Sequence, residues 1–483
     1  MNNMKDRCTQ IYKWGSLFLL FVLMIGGGIV ITHDASYELS DDTFVQLGVG
    51  GGNLQPINEK PVFSPSEGRF FPLAYQHFNI LLLCYSEGAN ATVVYLFQAL
   101  LWCVFLIGIY KLILLSVSGR GASSWSYVVA VVITLAIAQR TLSYFSVLWT
   151  TISIDYLLLV LFSIAYYYAL HDGKWWHHLI LFIVGAYFTF CIETNIVVPL
   201  MVCACSILNL NKSHRTAHKP LYIEMAIIVL LYILLYVILI FPHLSSHYDP
   251  AHGENTTFIR NAVSILMSQK LLILSIGVFI YRLYKVFVKK CEYDGFSDTL
   301  LATSMALLIA SFILKLNYPL YYVLPIILSI PALVKELNID TKKSRIVSII
   351  FLGLIGVYFI EKIPGQVISI LEAKTKVREE MIPFDNACKS SSTIVWFMDN
   401  KECRGVEDVW AQSHVQSHMA YLKLSPPLIY PQDKDKLPKV YLLITPISHT
   451  LEDVISGLNI SKSDVVDSSC APDVVYYHIH LEP

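Results

Sequence analysis

The chain has 483 residues, of which 55% are hydrophobic and only 15% are charged, and its formal net charge is −1 at pH 7. Its mean hydropathy of +0.56 is far above that of a soluble domain. This composition predicts a polytopic α-helical membrane protein. The basic residues occur as short clusters between apolar runs, which suits membrane topology better than a phosphate-binding face, so a nucleic-acid-binding protein is excluded.

Apolar runs long enough to cross a bilayer recur along most of the chain. The first follows Lys5, Arg7 and Lys13 and shows no small-residue cleavage site before His33, so we interpret it as an uncleaved signal anchor. In chain order the pattern predicts about eleven transmembrane helices, at residues 14–32, 92–115, 127–138, 154–170, a tight pair within 178–210, and then 221–241, 263–286, 300–314, 320–333 and 346–360.

Lysine and arginine are concentrated in alternate connections between these runs. The short connections on the other side carry only Arg140, Arg260 and Lys315. This positive-inside bias predicts a cytoplasmic N-terminus and a first outer loop at residues 33–91. Because the number of spans is odd, the C-terminal region is expected on the outer side as well.

The composition changes near residue 362. We predict a transmembrane domain at residues 1–362 and a small extracytoplasmic α/β domain at residues 363–483. Within the second region the runs STIVWF, VYLLIT and VVYYHIHL are typical of strands, and the stretch from Val406 to Leu422 is typical of a helix.

The first outer loop begins with an acidic cluster, Glu38, Asp41 and Asp42, in the stretch ELSDDTFVQL. Carboxylates this close repel one another, so either a cation lies among them or the pKa of at least one is raised toward the range of a general base. Arg69, in the stretch GRFFPLAYQHFNIL, is the nearest candidate cation. The alternative is a solvated surface patch, which is the commoner outcome for a run of charges.

The signal anchor, the acidic loop just past the first span, the ten or more spans and the outer C-terminal domain together resemble the GT-C class of integral-membrane glycosyltransferases. The stretches ELSDDTFVQL and GRFFPLAYQHFNIL are similar to those of phage-type serotype-converting glucosyltransferases, which modify bacterial O-antigen. The resemblance implies a GT-C-like enzyme of the bacterial inner membrane, in contact with membrane lipids. Such an enzyme transfers a sugar from a polyprenyl-phosphate carrier to a hydroxyl of a lipid-linked glycan or O-antigen, outside the cytoplasmic membrane.

The resemblance places the acidic position of that family at Asp41 and Asp42. One of them is then the general base that accepts the proton of the acceptor hydroxyl, and Glu38 orients the base or adjusts its pKa. The phosphate leaving group requires compensating positive charge where the carrier headgroup meets the membrane. The candidate substrate-binding residues are Arg69, Gln76, Arg140, Glu193, Arg260, Lys270 and Lys315.

For two of these candidates, the predicted spans also indicate where the side chain lies. Lys270 is expected roughly two turns inside the eighth span, where a buried lysine requires a partner or a ligand. Glu193 is expected at the outer tip of the helix pair, either solvated or as a wall of the site. For the cations the alternative is ordinary anchoring at the lipid headgroups. No cofactor is predicted, and although a divalent metal would be compatible with the chain, no ligand spacing indicates one.

Two other classes of function stay open. A flippase or transporter of lipid-linked glycans would carry buried charges at several mid-span positions, and a non-catalytic membrane protein would use its outer domain to bind a partner. Among enzymes, a membrane O-acyltransferase or a polymerase acting on the same glycan is the closest competitor. The mass added to the glycan distinguishes a hexosyl from an acetyl transfer.

Overall fold

The computed structural model describes most of the chain in sixteen stretches. The described residues are 2–39, 42–58, 62–117, 124–148, 152–209, 215–245, 262–263, 265–267, 269–314, 319–337, 342–391, 393–397, 406–424, 428–429, 439–471 and 474–481.

The described residues include fourteen α-helices. They are α1 (Asn2–Thr32), α2 (Asp42–Val45), α3 (Ala91–Val117), α4 (Ser124–Phe145), α5 (Ile152–His171), α6 (Trp175–Thr189), α7 (Val197–Asn209), α8 (Arg215–Leu239), α9 (Lys270–Leu283), α10 (Ser297–Ile313), α11 (Val323–Glu336), α12 (Lys342–Ser390), α13 (Val406–Tyr421) and α14 (Leu451–Leu458). Helix α2 continues directly into a π-helix at Gln46–Gly50.

Eight helices in the described part of the chain are long and apolar enough to cross a membrane. Two further apolar helices, Glu193–Leu208 and Ser297–Ile313, are shorter. Large apolar side chains stay exposed on these helices, for example Leu230 and Leu234 on α8, as expected where lipid replaces water. The prediction of a polytopic α-helical membrane protein is therefore confirmed.

Helices α1 and α3 pack closely and antiparallel. Gly27 lies against the ring of Trp102, where an added Cβ would stand 2.1 Å from a ring carbon, so only glycine fits. One end of the pair is fixed by the Ser16 and Tyr110 hydroxyls, 2.6 Å apart. Small residues at helix contacts allow this approach inside a membrane. As a result, the end of α1 and the start of α3 meet at one end of the bundle.

Helix α12 is continuous over 49 residues, and it runs parallel to α4. Gln366 accepts a hydrogen bond from Gln139, and Lys374 reaches the carbonyl of Ser146 just beyond the end of α4. The apolar first half of α12 belongs to the bundle, whereas charged residues follow from Glu361 onward. The domain boundary predicted after residue 362 therefore falls inside one helix.

Beyond α12 a five-stranded mixed sheet forms, in the order β4-β3-β5-β7-β6. After the two-stranded ribbon β1 (Phe63–Ser64) and β2 (Arg69–Phe70), its strands are β3 (Ile394–Phe397), β4 (Leu428–Ile429), β5 (Val440–Pro446), β6 (Val465–Ala471) and β7 (Val474–His480). Strand β3 pairs in parallel with β4 and β5, and β7 pairs antiparallel with β5 and β6. The three runs predicted as strands are β3, β5 and β7, and the predicted helix is α13.

A network of ion pairs joins α9, α10 and α11 at one end of the bundle. Arg282 donates to both carboxylate oxygens of Asp298, at 2.8 and 2.6 Å, and to Glu336 at 3.0 Å. Lys285 also binds Glu336. The Arg282 side chain is only 9% exposed, and it compensates the charge of Asp298, whereas the charge of Glu336 is compensated by Arg282 and Lys285 together.

We expect Arg282→Met to lower the free energy of unfolding by about 3–5 kcal/mol, because removing this partner leaves the buried Asp298 carboxylate uncompensated. Thermal unfolding of the purified protein in detergent measures the effect. Lys289→Met, which removes an exposed lysine near the same helix end, serves as the matched control. Equal stabilities of the two variants would contradict a structural role for the network.

Candidate active site

We call residues 33–47, of which the structure describes all but 40 and 41, the acidic segment. Its first residues leave α1 in a tight turn and lie against α12. Asp34, with a left-handed φ of 42°, accepts a hydrogen bond of 2.8 Å from the Thr375 hydroxyl and forms an ion pair with Arg378. The Thr375 hydrogen bond, followed by that of Arg378, lowers the pKa of the Asp34 carboxyl. The start of the segment is therefore attached to the charged half of α12.

The next residues of the segment are buried among groups from distant parts of the chain. The Tyr37 hydroxyl donates to the carbonyl of Ala89 at 2.7 Å, and its ring meets the edge of Tyr421 at 5.7 Å. Burial raises the pKa of Tyr37. Leu39 is fully buried in a core shared with α12, α13 and the sheet, next to residues such as Phe384 and Met419. The acidic segment is thus an integral part of the fold and not a solvated loop.

Two of the predicted acids lie in this buried setting. Asp42, the first residue of α2, is 1% exposed, and Glu38 is half-buried. Asp42 is placed at a helix N-terminus, where the backbone N–H groups favour a negative charge. Asp41 lies outside the described residues. The alternative of a solvated acidic patch does not hold for Asp42.

The cation beside these acids is Lys374 of α12. It is 9% exposed, and its ammonium group stands 3.5 Å from the centroid of the Tyr95 ring and 3.5 Å from the Ser146 carbonyl oxygen. Burial lowers the pKa of Lys374 to about 8, and the charges of Asp42, Asp34 and Glu38 oppose this shift without cancelling it. A buried lysine is costly unless it is paired, and here carboxylates and an aromatic ring offset part of that cost.

A chain of hydrogen bonds fixes the helix that carries Asp42. Gln46, one turn after Asp42, donates from Nε2 to Nδ1 of His418 at 2.9 Å, and Nε2 of His418 stands 2.7 Å from Asp385. Gln46 and His418 are each 1% exposed. With Nδ1 accepting, the proton of the imidazole lies on Nε2 and is donated to the Asp385 carboxylate. Helix α13 thereby holds α2 in place against α12.

Arg140 lies near the end of α4, one turn before Tyr144. Its guanidinium acts electrostatically on Tyr144 and on Tyr156 of α5. Its Nε is buried and forms no hydrogen bond with any residue that the structure describes. Gln139, the residue before Arg140, donates a hydrogen bond to Gln366 of α12. The same parallel packing of α4 and α12 brings Lys374 to the Ser146 carbonyl. Arg140 is therefore a half-buried cation whose Nε–H is available to donate a hydrogen bond to a phosphate, as a phosphate-binding site requires.

Three predicted substrate-binding residues have structural partners elsewhere. Arg69 in β2 pairs with Glu67 at 3.6 Å. Gln76 donates to the Pro56 carbonyl at 3.3 Å and accepts from Asn79 at 2.8 Å. Glu193 is half-buried and accepts a hydrogen bond of 3.1 Å from the Phe70 amide.

Glu193 lies at the tip between α6 and α7 as predicted, but of its two alternatives the solvated one does not hold. The physical reason is that the ribbon β1–β2 folds back onto the connection between α6 and α7, so the Glu193 carboxylate satisfies a backbone N–H of β2.

Lys270 was also predicted wrongly as a buried residue. Helix α9 begins at Lys270, so this side chain is exposed at a helix end, with its ammonium 5.1 Å from the Tyr358 ring centroid. This geometry suits anchoring near the membrane surface. Arg260 and Lys315 lie outside the described residues.

Two buried groups escaped the sequence reasoning. Lys374 was assigned to the extracytoplasmic α/β domain, although it interrupts an apolar stripe of helical spacing that includes Val367, Leu371, Val377 and Met381. A lysine inside such a stripe is a usable signal. Asp155, in the first turn of α5, is fully buried and accepts a hydrogen bond of 3.1 Å from Asn195. Its acidic character inside an apolar run was a signal of the same kind.

No protein-family model matches this sequence, and no curated protein matches it significantly. Among the residues that the structure describes, no group of three or more His, Cys, Asp or Glu side chains could hold a metal ion. The site is therefore interpreted from its own chemistry.

The attachment of Asp34 predicts a response to acid. A carboxyl group whose pKa is lowered by folding stabilises the folded state above its unfolded pKa, and this stabilisation is lost as the pH falls through the folded value. We expect the protection of residues 33–39 against hydrogen exchange to fall only below the ordinary Asp value of 3.8. In Asp34→Asn, protection should already be reduced at neutral pH and should not change further in this range. Loss of wild-type protection at higher pH would contradict the prediction.

Proposed function

We propose that this protein is a GT-C-like glycosyltransferase that moves a sugar, glucose by its resemblance, from a polyprenyl-phosphate carrier to a hydroxyl of a surface polysaccharide such as O-antigen. In this proposal eleven helices cross the bacterial inner membrane, namely the eight long ones together with α6, α7 and α10. The N-terminus is cytoplasmic, and the acidic segment and the C-terminal α/β domain face the periplasm.

The chemistry assigned to the site is a single displacement. The acceptor O–H loses its proton to a carboxylate, Asp42 or its neighbour Asp41, while the acceptor oxygen forms a new bond to C1 of the sugar. The bond between C1 and the carrier phosphate oxygen breaks, and its electron pair leaves with the polyprenyl phosphate. Lys374 and Arg140 supply the positive charge that stabilises this leaving group. Glu38 helps to orient the base.

One observation supports this proposal most strongly. Asp42, Glu38 and the ammonium of Lys374 are gathered at the end of the bundle where α1, α3, α4 and α12 meet, and helix α13 covers them. A general base beside a buried cation is the arrangement that transfer from a phosphate carrier requires. Arg140 lies along α4 from this cluster, toward the apolar part of the bundle, where the carrier would enter.

Transfer can be tested in membranes that contain the protein, with a radiolabelled polyprenyl-phosphate glucose donor and purified polysaccharide. The proposal expects label in the polysaccharide and a mass increase of one hexose per modified unit. An added acetyl group instead would identify an O-acyltransferase. A longer glycan with no added branch would identify a polymerase, and either result would overturn the proposal.

A transporter of lipid-linked glycans is the second candidate, and buried Asp155 is the observation that favours it. Its Oδ2 forms no hydrogen bond with the described residues, and ionisable groups inside a bundle often belong to transport pathways. A transporter would move the labelled lipid across sealed vesicles and leave the sugar on its carrier. The same labelled donor therefore separates the two functions.

A further inference from the structure

A groove runs between α5 and α6, far from the acidic segment. Its volume is about 560 Å³, and its walls are apolar, with Leu161 and Ile164 on one helix and Ile180 and Val184 on the other. This volume lies within the range of pockets that hold small amphipathic molecules. At 1.5 Å per residue, the mouth at Asp172 is on the order of 24 Å along α5 from Tyr156, which lies near the candidate active site.

Two exposed side chains of opposite charge lie at the mouth of the groove. Asp172 and Lys174 flank Gly173, whose φ of 60° makes the turn between the helices. Within the part of the chain that the structure describes, neither of these two charges forms an ion pair, although they are opposite in sign. Lys174 instead lies 6.0 Å from the Trp176 ring centroid.

A buried polar group lies deeper in the same groove. His177 is 4% exposed and lines the groove, and its Nδ1 forms no hydrogen bond with any described residue. Buried ring nitrogens are normally satisfied, so this one indicates a missing partner. The Tyr168 ring stacks on it at 5.2 Å between centroids and keeps the imidazole in place.

We propose that this groove binds one phospholipid whose headgroup carries both an ammonium and a phosphate. One acyl chain lies between the apolar faces of α5 and α6. The phosphate pairs with Lys174, and the ammonium pairs with Asp172. Trp176 lies at headgroup level, where tryptophan is enriched in membrane proteins.

The pairing of charges decides between lipids. An anionic lipid, whether phosphatidylglycerol or a polyprenyl phosphate, would satisfy Lys174 but would be repelled by Asp172. A primary ammonium also donates hydrogen bonds to a carboxylate, which a quaternary ammonium cannot do. We therefore expect phosphatidylethanolamine to bind most tightly, phosphatidylcholine less tightly, and the two anionic lipids least.

Native mass spectrometry of the delipidated, purified protein tests this ranking with one defined lipid at a time. We expect one phosphatidylethanolamine per chain, bound at least about tenfold more tightly than phosphatidylglycerol.

Variants at the groove test its position. Asp172→Asn and Lys174→Gln should each weaken the binding of phosphatidylethanolamine about tenfold, and Val184→Trp should fill the groove and remove the bound lipid. The matched controls are Lys289→Gln, an exposed lysine 5.8 Å from the Tyr284 ring, and Ile183→Trp, which is exposed beside Val184 but does not line the groove.

Two results would overturn the proposal. Equal or tighter binding of phosphatidylglycerol or of polyprenyl phosphate would exclude recognition of the ammonium. Unchanged binding in both Asp172→Asn and Lys174→Gln would exclude this groove as the site, even if Val184→Trp failed to fold. Because the lipid is measured directly, neither result depends on transferase activity.

Discussion

Replacing Asp42 with asparagine should reduce sugar transfer by about 10²-fold or more, at unchanged abundance of the protein in the membrane. Asparagine keeps the shape and the polarity of aspartate but cannot accept the proton of the acceptor hydroxyl, and a positioned general base contributes roughly 10²- to 10⁴-fold. Asp42 is 1% exposed at the start of α2, and Gln46 fixes that helix through His418, so its carboxylate is held for such a role.

Matched variants separate the base from its neighbours. Asp467→Asn, at an exposed position on β6, controls for loss of one carboxylate and should be active. Asp41→Asn tests whether the adjacent residue is the base, and Glu38→Gln should reduce the rate less than loss of the base. Initial rates with the labelled donor give the comparison. Rates near wild type in both Asp41→Asn and Asp42→Asn would show that the acidic segment is not catalytic.

Replacing Lys374 with methionine should reduce transfer by about 10²- to 10³-fold, which is the usual cost of removing one group that stabilises charge in the transition state. The substitution leaves Asp42, Glu38 and Asp34 without their buried cation, and it removes a charge that would face the phosphate. The maximal rate should fall more than the affinity for the donor, because the leaving group gains charge as the bond breaks.

Lys376→Met is the control for this variant, since Lys376 is two residues away on α12 and its side chain is 74% exposed. Lys374→Arg keeps the charge but changes its shape, and it should recover part of the activity. A Lys374→Met protein that inserts normally and transfers sugar at the wild-type rate would remove this residue from the mechanism. If Lys374→Arg were no better than methionine, the loss would come from packing and not from charge.

The parts of the fold that could be predicted from the sequence are those with a local pattern of residue types. Apolar runs of span length predicted the bundle, and short runs rich in β-branched and aromatic residues predicted β3, β5 and β7. The acidic segment stood out by composition alone. The cation beside it did not, because the domain boundary was placed at residue 362, where hydropathy falls but the helix continues.

The contacts that complete the site join residues far apart in the chain, and no pattern in the neighbouring sequence predicts them. Gln46 and His418 are 372 residues apart, and nothing near either residue indicates the other. The same holds for Glu193, whose partner is a backbone amide of β2 more than a hundred residues earlier. Lys270 was misplaced because the apolar run begins near residue 263, about two turns before the start of α9, and hydropathy alone does not fix where a helix begins.

The burial of Leu39 has a consequence for biosynthesis. Leu39 and Gln46 emerge from the ribosome early, but their partners Phe384, His418 and Met419 emerge more than 300 residues later. At roughly 5–20 residues per second, the early segment waits on the order of 20–75 s for these partners. During that time the first spans can insert, while the acidic segment stays exposed to proteases and chaperones on its side of the membrane. On our proposal, a nascent chain then acquires transferase activity only when α13 has been translated and has docked.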